Sequence, residues 1–536
     1  MSARLDLLWL GDDAPPPMWD LGAVRRAAAS CAGLHAALAR DTGADAWLIW
    51  DSALDAPPVD RLLALLDAPG DLWHGGLALG LGGAPGMIDF AAPTWTFNRD
   101  PERADAATSW RVSLRACLVR AEVVRWSLPD PSFASLDAMA LEWGHRCIRF
   151  GALPRHAPLG LAASTPSISL EDEMRFLRRA FGARWAFWAM VRAMIAGYAP
   201  PEAIADAWLA TRAVRASAPV APYARARSPD RPPAPSVSVL IPTLDRPEYL
   251  RTILRQLRLQ TVRAREVIVV DQAPAERRDP ALAADFADLS LTVLALETAG
   301  QCTARNAGLL RARGDAILFV DDDDEIEPDL IARHLEHLAE SGADVSSGVA
   351  RERAAGPIPE AFTRARASDV FPTNNTLAKR GVLERSGLFD LAYDHGARAD
   401  GDLGMRAYLS GAVMLLSPAI VVLHHHAPRG GLRTHGARVA TYAGSRRRIT
   451  MRNLPEVTEI YRALRYFSER QVREALAQSA AGTLSAHAGG WRRAAKAMYG
   501  LVMMPHTLWQ IRRRLRDARA MLARFPVIPT LPPRVP

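Results

Sequence analysis

Asp321-Asp322-Asp323-Asp324-Glu325 follows directly on the apolar run Ala316–Val320. Carboxylates this close repel one another strongly. A divalent cation with hard oxygen ligands relieves that repulsion, and such ions also bridge to phosphate oxygens. A solvated acidic loop is the other reading of the same residues. The place of the run, between an apolar strand and the helix expected after Pro328, favours the cation. His424-His425-His426 follows a second apolar run, AIVVL. Alternation along a strand aims His424 and His426 one way and His425 the other. The loop Pro428–His435, PRGGLRTH, combines flexible glycines with Arg433, a donor suited to phosphate oxygens. A plain surface loop fits it too. Asn374-Asn375-Thr376 is a further polar cluster, readable as ligand contact or as buried turn.

These residues need a scaffold. Ser236–Pro242 (SVSVLIP), Glu266–Val270 (EVIVV) and Ala316–Val320 (AILFV) read as buried strands, and Glu248–Leu259 has the apolar spacing of a helix. Short apolar strands alternating with helices predict βαβ units and a mostly parallel sheet. Ligands bind such sheets beyond the carboxyl ends of the strands. Pro242, Thr243, Asp271 and the acidic run all fall there.

The chain has 536 residues, which at roughly 100–200 per domain means about three domains. With 49% hydrophobic and 23% charged residues, wholesale disorder is excluded. No uncharged apolar run reaches a membrane-spanning length, and the first residues read as a strand, LDLLWL, rather than a signal peptide. Four scattered cysteines form no metal pair, so a reduced cytoplasmic setting is expected. Arg215–Pro235, rich in Pro, Ala and Arg, reads as an extended linker, and Ser169–Ile195 as helix with Ser169 as a cap. The formal net charge is +8. Trp491–Phe525 holds nine Lys or Arg and one Asp, 9 − 1 = +8, so the remainder is balanced and no nucleic-acid groove is expected. Leu508, Ile511, Leu515, Ala518, Leu522 and Phe525 fall on one helical face among arginines. That pattern suits an anionic membrane surface or the protein's own core.

The first 165 residues look like a worn copy of the second half. Asp130, Arg146, Gly151 and Pro158 match Asp390, Arg406, Gly411 and Pro418 in one ungapped register, each 260 apart. Asp51 stands for Asp321, but Ser52 and Ala53 replace the next two acids, Ala140 replaces Asp400, and Leu34-His35 replaces Arg305-Asn306. The expected domains are a degenerate copy over 1–165, helix and linker over 166–235, a catalytic domain over 236–435 and a helical region with a basic tail over 436–536. A fragment 1–213 is expected to fold without binding donor.

SVSVLIPTLDRPEYL, VIVVDQAP, TAGQCTARNAGLLRARGDAILFVDDDDEIEPDLI, GLFD and ADGDLGMR resemble, in order and spacing, family-2 glycosyltransferases of the GT-A fold over about 236–430. The resemblance implies an α/β, Rossmann-like mixed sheet and transfer from a nucleotide-diphosphate sugar. It implies that Pro242, Thr243 and Asp271 hold the nucleoside, that Arg305 and Asn306 lie by the nucleotide, and that Asp321 and Asp323 hold Mg2+ or Mn2+ with the sugar nucleotide. His424 would complete the metal shell, and Arg433 would close over the diphosphate. The family's Glu-Asp pair reads Ala399-Asp400 here, followed by Asp402. Asp400 is the preferred base because its distance to Arg406 fits better, with Asp402 the alternative. By resemblance the reaction is inverting, in bacterial surface-glycan assembly, on a glycan or lipid-linked acceptor, in the cytoplasm or peripherally at the inner membrane face. The Gln-x-x-Arg-Trp signature of processive synthases is absent. A nucleotidyltransferase and a non-enzymatic glycan-binding scaffold are the alternatives. A nucleotidyltransferase would need a Gly-rich, Lys-bearing loop after the first strand, which PTLDRPEYL lacks.

Overall fold

The computed structural model describes residues 4–15, 22–40, 42–102, 106–157, 159–218, 220–225, 233–352, 358–428, 430–431, 449–485 and 490–533. Its strands are β1 (Leu5–Leu10), β2 (Val24–Ala27), β3 (Ala46–Asp51), β4 (Leu72–His74), β5 (Ala107–Thr108), β6 (Ala116–Arg120) and β7 (Pro154–His156), then β8 (Val237–Thr243), β9 (Glu266–Asp271), β10 (Leu291–Ala295), β11 (Ala316–Phe319), β12 (Asp324–Glu325), β13 (Val345–Glu352), β14 (Arg366–Ala367), β15 (Thr376–Lys379) and β16 (Met414–His424). The helices used below are α1 (Cys31–Leu38), α2 (Leu136–Phe150), α3 (Leu170–Phe181), α4 (Ala183–Ile195), α5 (Pro247–Arg258), α6 (Gln301–Arg311), α7 (Leu330–Ser341), α8 (Ala399–Leu409), α9 (Val457–Tyr466), α10 (Glu469–Gly482), α11 (Trp491–Val502) and α12 (Met504–Arg524).

Two mixed sheets form. The first has the order β2-β1-β3-β6-β4-β7-β5, and the second runs β10-β9-β8-β11-β15-β13-β16-β12 with β14 also on β16. In the second sheet β9, β8 and β11 are parallel, β15 is antiparallel to both β11 and β13, β13 and β16 are parallel, and β14 is antiparallel to β16. The first sheet repeats every one of these relations with β2, β1, β3, β6, β4, β7 and β5. The register agrees as well: Pro154 sits opposite Leu72 as Met414 sits opposite Val345, which preserves the spacing of 260.

Helices α2 and α8 lie at matching places and carry matching buried ion pairs. Arg146 meets Glu142 at 2.9 Å, and Arg406 meets Asp402 at 2.9 Å. Both arginines also reach the C-terminal end of a short preceding helix, at Ser127 and Ser386. A Cβ on Gly144 would stand 2.2 Å from the Trp110 carbonyl, and one on Gly404 2.8 Å from Phe371 Cβ, so each helix uses a glycine for close approach. Asp130 and Asp390 each accept the amide two residues on, at 3.0 and 2.9 Å, and each meets an arginine, Arg179 and Arg465. Pro158 lies outside the described residues.

The halves share one core, in which Met139, Trp143 and Phe176 join Ile268, Phe319 and Tyr408. Tyr408 Oη donates to Asp100 Oδ1 and to the Thr108 carbonyl, both at 3.1 Å. Trp95 Nε1 donates to Asp369 at 2.8 Å. Helix α10 bridges back through Glu474 to Arg192 at 2.7 Å and Gln471 to Asp89 at 2.8 Å. A fragment 1–213 would expose this shared surface, so its independent folding, expected from sequence, has no support in the packing.

Ser169 caps α3 by accepting the Asp172 amide at 3.1 Å, and Gly182 divides the predicted Ser169–Ile195 helix into α3 and α4. Part of the expected linker is packed: Tyr223 is buried and Arg225 meets Asp71 at 2.8 Å. The four cysteines are buried and free.

The sequence left two uses for the apolar face of α12, and the protein uses it internally. Ile511 packs with Leu454 and Ala480, while Leu515, Ala518, Leu522 and Phe525 join the shared core. Of that face only Leu508 is exposed. That face is therefore taken up by the protein's own core. Among the described residues no helix is long and apolar enough to cross a membrane.

Breaking a buried ion pair strands a charge and costs about 3–5 kcal/mol. Arg146→Met should therefore lower the unfolding midpoint in a denaturant titration by an amount of that order. A change under about 1 kcal/mol would mean that Glu142 is relieved otherwise.

Candidate active site

β8, β9 and β11 run parallel, so Thr243, Asp271 and the acidic run emerge at one edge of the sheet. A cleft of about 170 Å3 opens there, lined by Pro242, Thr243, Leu244, Arg246, Gln272, Gln301, Arg305, Asp321, Asp322, Asp323, His424, His426 and Gly431. Helix α6 aims Arg305 into it. The N-terminus of α6 is held from across the site by Asp394, whose carboxylate accepts the Cys302 and Thr303 amides at 2.8 Å each.

The acids of the run have separate tasks. Asp321, its side chain 28% exposed, meets Arg305 Nη2 at 3.0 Å. Asp322 is buried and accepts Thr243 Oγ1 at 2.7 Å and Arg246 Nη1 at 2.8 Å. Asp323 is buried too, contrary to the exposed position expected for a strand-end ligand; it meets the same Arg246 nitrogen at 3.0 Å and accepts the Ala427 amide at 2.7 Å. Asp324 turns back, accepting the Asp321 amide and His424 Nδ1, both at 2.9 Å. Burial pushes the Asp322 carboxyl up to about 6, against the pull of Arg246, and the Asp324 carboxyl up to about 7, against the hydrogen bond from His424. Burial lowers the His424 imidazole, but the bond to Asp324 and the fields of Asp324, Asp321 and Asp323 outweigh it and raise it to about 9.

His424 and His426 share the cleft side, with ring centroids 4.3 Å apart, whereas His425 bonds Glu325 at 2.9 Å and leans on Tyr249. His426 has φ +52°, a left-handed conformation that a non-glycine residue rarely adopts.

A divalent ion on a diphosphate is commonly held by one or two carboxylates plus phosphate oxygens rather than by an all-protein cage. The residues here fit such a half-shell. Asp321 and Asp323 offer hard oxygens at the cleft, and His424 Nδ1 lies 3.8 Å from Asp323 Oδ1. Among the described residues no three His, Cys, Asp or Glu side chains could hold a metal ion by themselves.

Other expected residues are placed less directly. Asp271 ends β9, buried, accepting the Ala273 amide at 2.9 Å; burial raises its carboxyl. Asn306 is corrected from ligand contact to framework. Its amide nitrogen donates to the Phe389 carbonyl and its oxygen accepts the Phe389 amide, both at 2.8 Å. In the N-terminal half His35 Nδ1 contacts the carbonyl of Pro129, the residue 260 before Phe389, at 2.7 Å. The contact is thus retained where no ligand residues are. Asn374 lies 3.4 Å from Asp324, and Asn375 is buried on His334 and the backbone. Arg433 lies outside the described residues.

Asp402 is fully buried and committed. It pairs with Arg406 and accepts Tyr466 Oη at 2.8 Å and Tyr393 Oη at 3.4 Å. Asp400, two residues earlier, is half-buried and accepts its neighbour's amide, Gly401, at 2.7 Å. It is not in the cleft wall. Gln301, which is, donates to the Tyr393 carbonyl at 2.7 Å and so ties the loop leading to Asp400 to the cleft.

Sequence reasoning missed Arg246, Gln272 and Gln301. Arg246 sits in the quoted PTLDRPEYL segment, where an arginine one turn beyond a strand end signals a partner for the acids. Gln272 follows Asp271 directly, and its Oε1 accepts the Gly300 amide at 2.8 Å.

Residues 238–382 match the family model described as Glycosyl transferase family 2. The chain is 39% identical over 97 residues to the EpsH protein of Bacillus subtilis (strain 168), covering 18% of this chain and 28% of that one. It is 30% identical over 114 residues to the glycosyltransferase GlyA of Streptococcus pneumoniae serotype 4, covering 21% and 16%. It is 39% identical over 82 residues to the succinoglycan biosynthesis protein ExoO of Rhizobium meliloti, covering 15% and 23%. The chain thus spans less than a third of the length of each of these relatives. Among solved structures, the mannosyltransferase PcManGT of Pyrobaculum calidifontis, in complex with GDP-Man and Mn2+, is 21% identical over 55% of this chain and 88% of that one, with a TM-score of 0.35. S. aureus TarS 1–349 with UDP-GlcNAc is 18% identical over 53% and 88%, also at 0.35.

Arg246 is the partner common to Asp322 and Asp323. Arg246→Leu should leave both buried acids uncompensated and lower the melting temperature by several degrees, on the order of 2 kcal/mol or more. Differential scanning fluorimetry checks this, and Arg246→Lys should recover part of the loss.

Proposed function

We propose that the chain transfers a sugar from a nucleotide-diphosphate donor to an acceptor hydroxyl with inversion at the anomeric carbon. The observation that carries this reading is the acidic run at the end of β11, faced by Arg305 and Arg246 in one cleft, within the segment that matches family 2. Pro242, Thr243 and Asp271 would border the nucleoside at the ends of β8 and β9. Arg305 would bind the diphosphate, joined by Arg433 from its loop.

Asp321 and Asp323, with His424, would hold Mg2+ or Mn2+, which when bound neutralises charge on the leaving diphosphate. Asp400 would take the proton of the acceptor hydroxyl as its oxygen bonds the anomeric carbon and the bond to the diphosphate oxygen breaks. A single displacement of this kind inverts configuration. The buried commitment of Asp402 supports Asp400 as the base, and so does the parallel Glu142–Arg146 pair, which shows such a pair serving a framework. The acceptor is a glycan or lipid-linked saccharide in bacterial surface-polysaccharide assembly; the likeness to the succinoglycan biosynthesis protein ExoO supports that setting.

We also propose that residues 1–165 are a degenerate copy without transferase chemistry. Arg115 holds Asp51 at 2.5 Å and Asp137 at 3.1 Å, so a guanidinium already occupies the acid that corresponds to Asp321. Gly11, the register equivalent of Thr243, has Ser52 Oγ 2.0 Å from the position of an added Cβ, so the hydroxyl-to-acid contact of Thr243 and Asp322 has no room there.

Nucleoside diphosphate release from a panel of sugar nucleotides, with acceptor extracts, tests the reading. Asp400→Asn should cut transfer by about 10²-fold or more while donor binding persists. A mild Asp400→Asn beside a crippling, well-folded Asp402→Asn would reverse the assignment. Asp323→Asn, or excess chelator, should remove about 10²-fold or more of the rate; full activity in chelator would exclude the metal. Calorimetry on the full chain with Mn2+ should find one donor site, abolished by Asp323→Asn and untouched by Asp51→Asn. Two sites would mean that the N-terminal half also works.

A further inference from the structure

Helix α11 is inside out. Its buried positions are Lys496, 2% exposed and donating to the Met451 carbonyl, and Gly500. Its large apolar residues face away from the protein: Trp491 is 72% exposed, Met498 63%, Leu501 56% and Val502 70%. At 100° per residue, positions i, i+7, i+10 and i+11 lie on one face. The helical bonding continues past Val502, since the Met503 amide bonds the Tyr499 carbonyl at 3.0 Å and the Thr507 amide bonds the Met503 carbonyl at 2.9 Å. The same angular progression leads to Trp509, 55% exposed, and then to the exposed Arg512, Arg513 and Arg516. The result is an outward stripe of five large apolar side chains running into arginines. It lies on the opposite side from the Ile511–Ala518 face that packs on the core.

Single exposed apolar residues are ordinary, but a contiguous stripe with a lysine buried behind it is not. The chemistry of the stripe narrows what covers it. Arg492 lies over the Trp491 ring and Arg513 over the Trp509 ring, each 5.8 Å from the centroid, which joins cation and indole at both ends. Residues 491–525 hold the equivalent of the chain's whole net charge of +8. A second copy of this chain would bring a like-charged segment to the contact, which disfavours self-association. Indole rings beside guanidinium groups, with aliphatic side chains between them, match the polar–apolar boundary of a bilayer that carries negative headgroups. We infer that the outward stripe of α11 and α12 docks the protein onto an anionic lipid surface. The stripe is remote in sequence from every cleft residue, so the inference stands apart from the transferase reading.

Flotation of the full chain with vesicles requires neither donor nor turnover, and so tests the docking separately from the chemistry. With phosphatidylcholine vesicles containing roughly one part in three phosphatidylglycerol, most of the protein should float. With phosphatidylcholine alone, or in about 1 M salt, binding should fall about tenfold. Trp491→Ser, Met498→Ser, Leu501→Ser and Val502→Ser combined should cut binding to the anionic vesicles about tenfold or more, with the melting temperature unchanged, because those side chains are exposed. Equal flotation of the combined variant and the parent would overturn the inference. So would a dimer in sedimentation equilibrium that the four substitutions dissolve, since a second copy would then own the stripe.

Discussion

Successive carboxylates at the mouth of a buried strand raise a problem of charge, and much of the second half is arranged around it. Three of the four aspartates are buried, where repulsion is least screened. The fold answers with cations brought from distant positions: Arg246 from the segment opening α5, Arg305 from α6 and His424 from the end of β16. Each comes from a different element, so the acids can be accommodated only when β8, β11, β16 and α6 are all in place. The site and the second sheet are therefore one construction. A cation-dependent ligand entering there meets carboxylates already held in position, with the ordering cost borne by the fold.

The N-terminal half shows what remains when that problem is removed. Strand order, strand sense, a buried carboxylate–arginine pair on the helix, a close-packed glycine and an Asx turn all persist. One acid remains in place of four, and one surface arginine suffices for it. Comparing the halves sorts the catalytic half's own residues. Features present in both, such as Asp402–Arg406 and the Asn306 contact, belong to the framework. Features of the second half alone, such as Arg246, Asp322 and Asp323, belong to the cleft.

Much of this was legible in sequence because it is local. The strand ends, the acidic run and the ungapped spacing of 260 can be read from neighbouring residues alone. The alternating direction of the three histidines follows from strand geometry. Other features were not legible, for definite physical reasons. The partnership of Arg246 with Asp322 spans 76 residues of chain and depends on tertiary packing. Asn306 looked like a ligand residue because a polar side chain in a quoted motif carries no mark of which way its amide is satisfied. The periodicity of α12 was read correctly, but one period serves a core or a membrane equally, and only packing decides. In α11 the pattern misled more deeply, since a helix that buries its lysine and exposes its tryptophan reverses the rule by which patterns are read.

The hydroxyl of Tyr408 reaches from the far end of the helix that carries Asp400 to Asp100 and Thr108 in the other half. Positions along that seam answer to two partners at once, so a change on either side needs a matching change across it. Positions in the closed N-terminal cleft, such as Ser52 and Ala53, answer to no ligand under this reading. Evolutionary drift should therefore run fast in the silent cleft and slowly along the seam. Under the same reading the N-terminal half could lose chemistry piece by piece, yet its removal would expose the core that it shares with the other half.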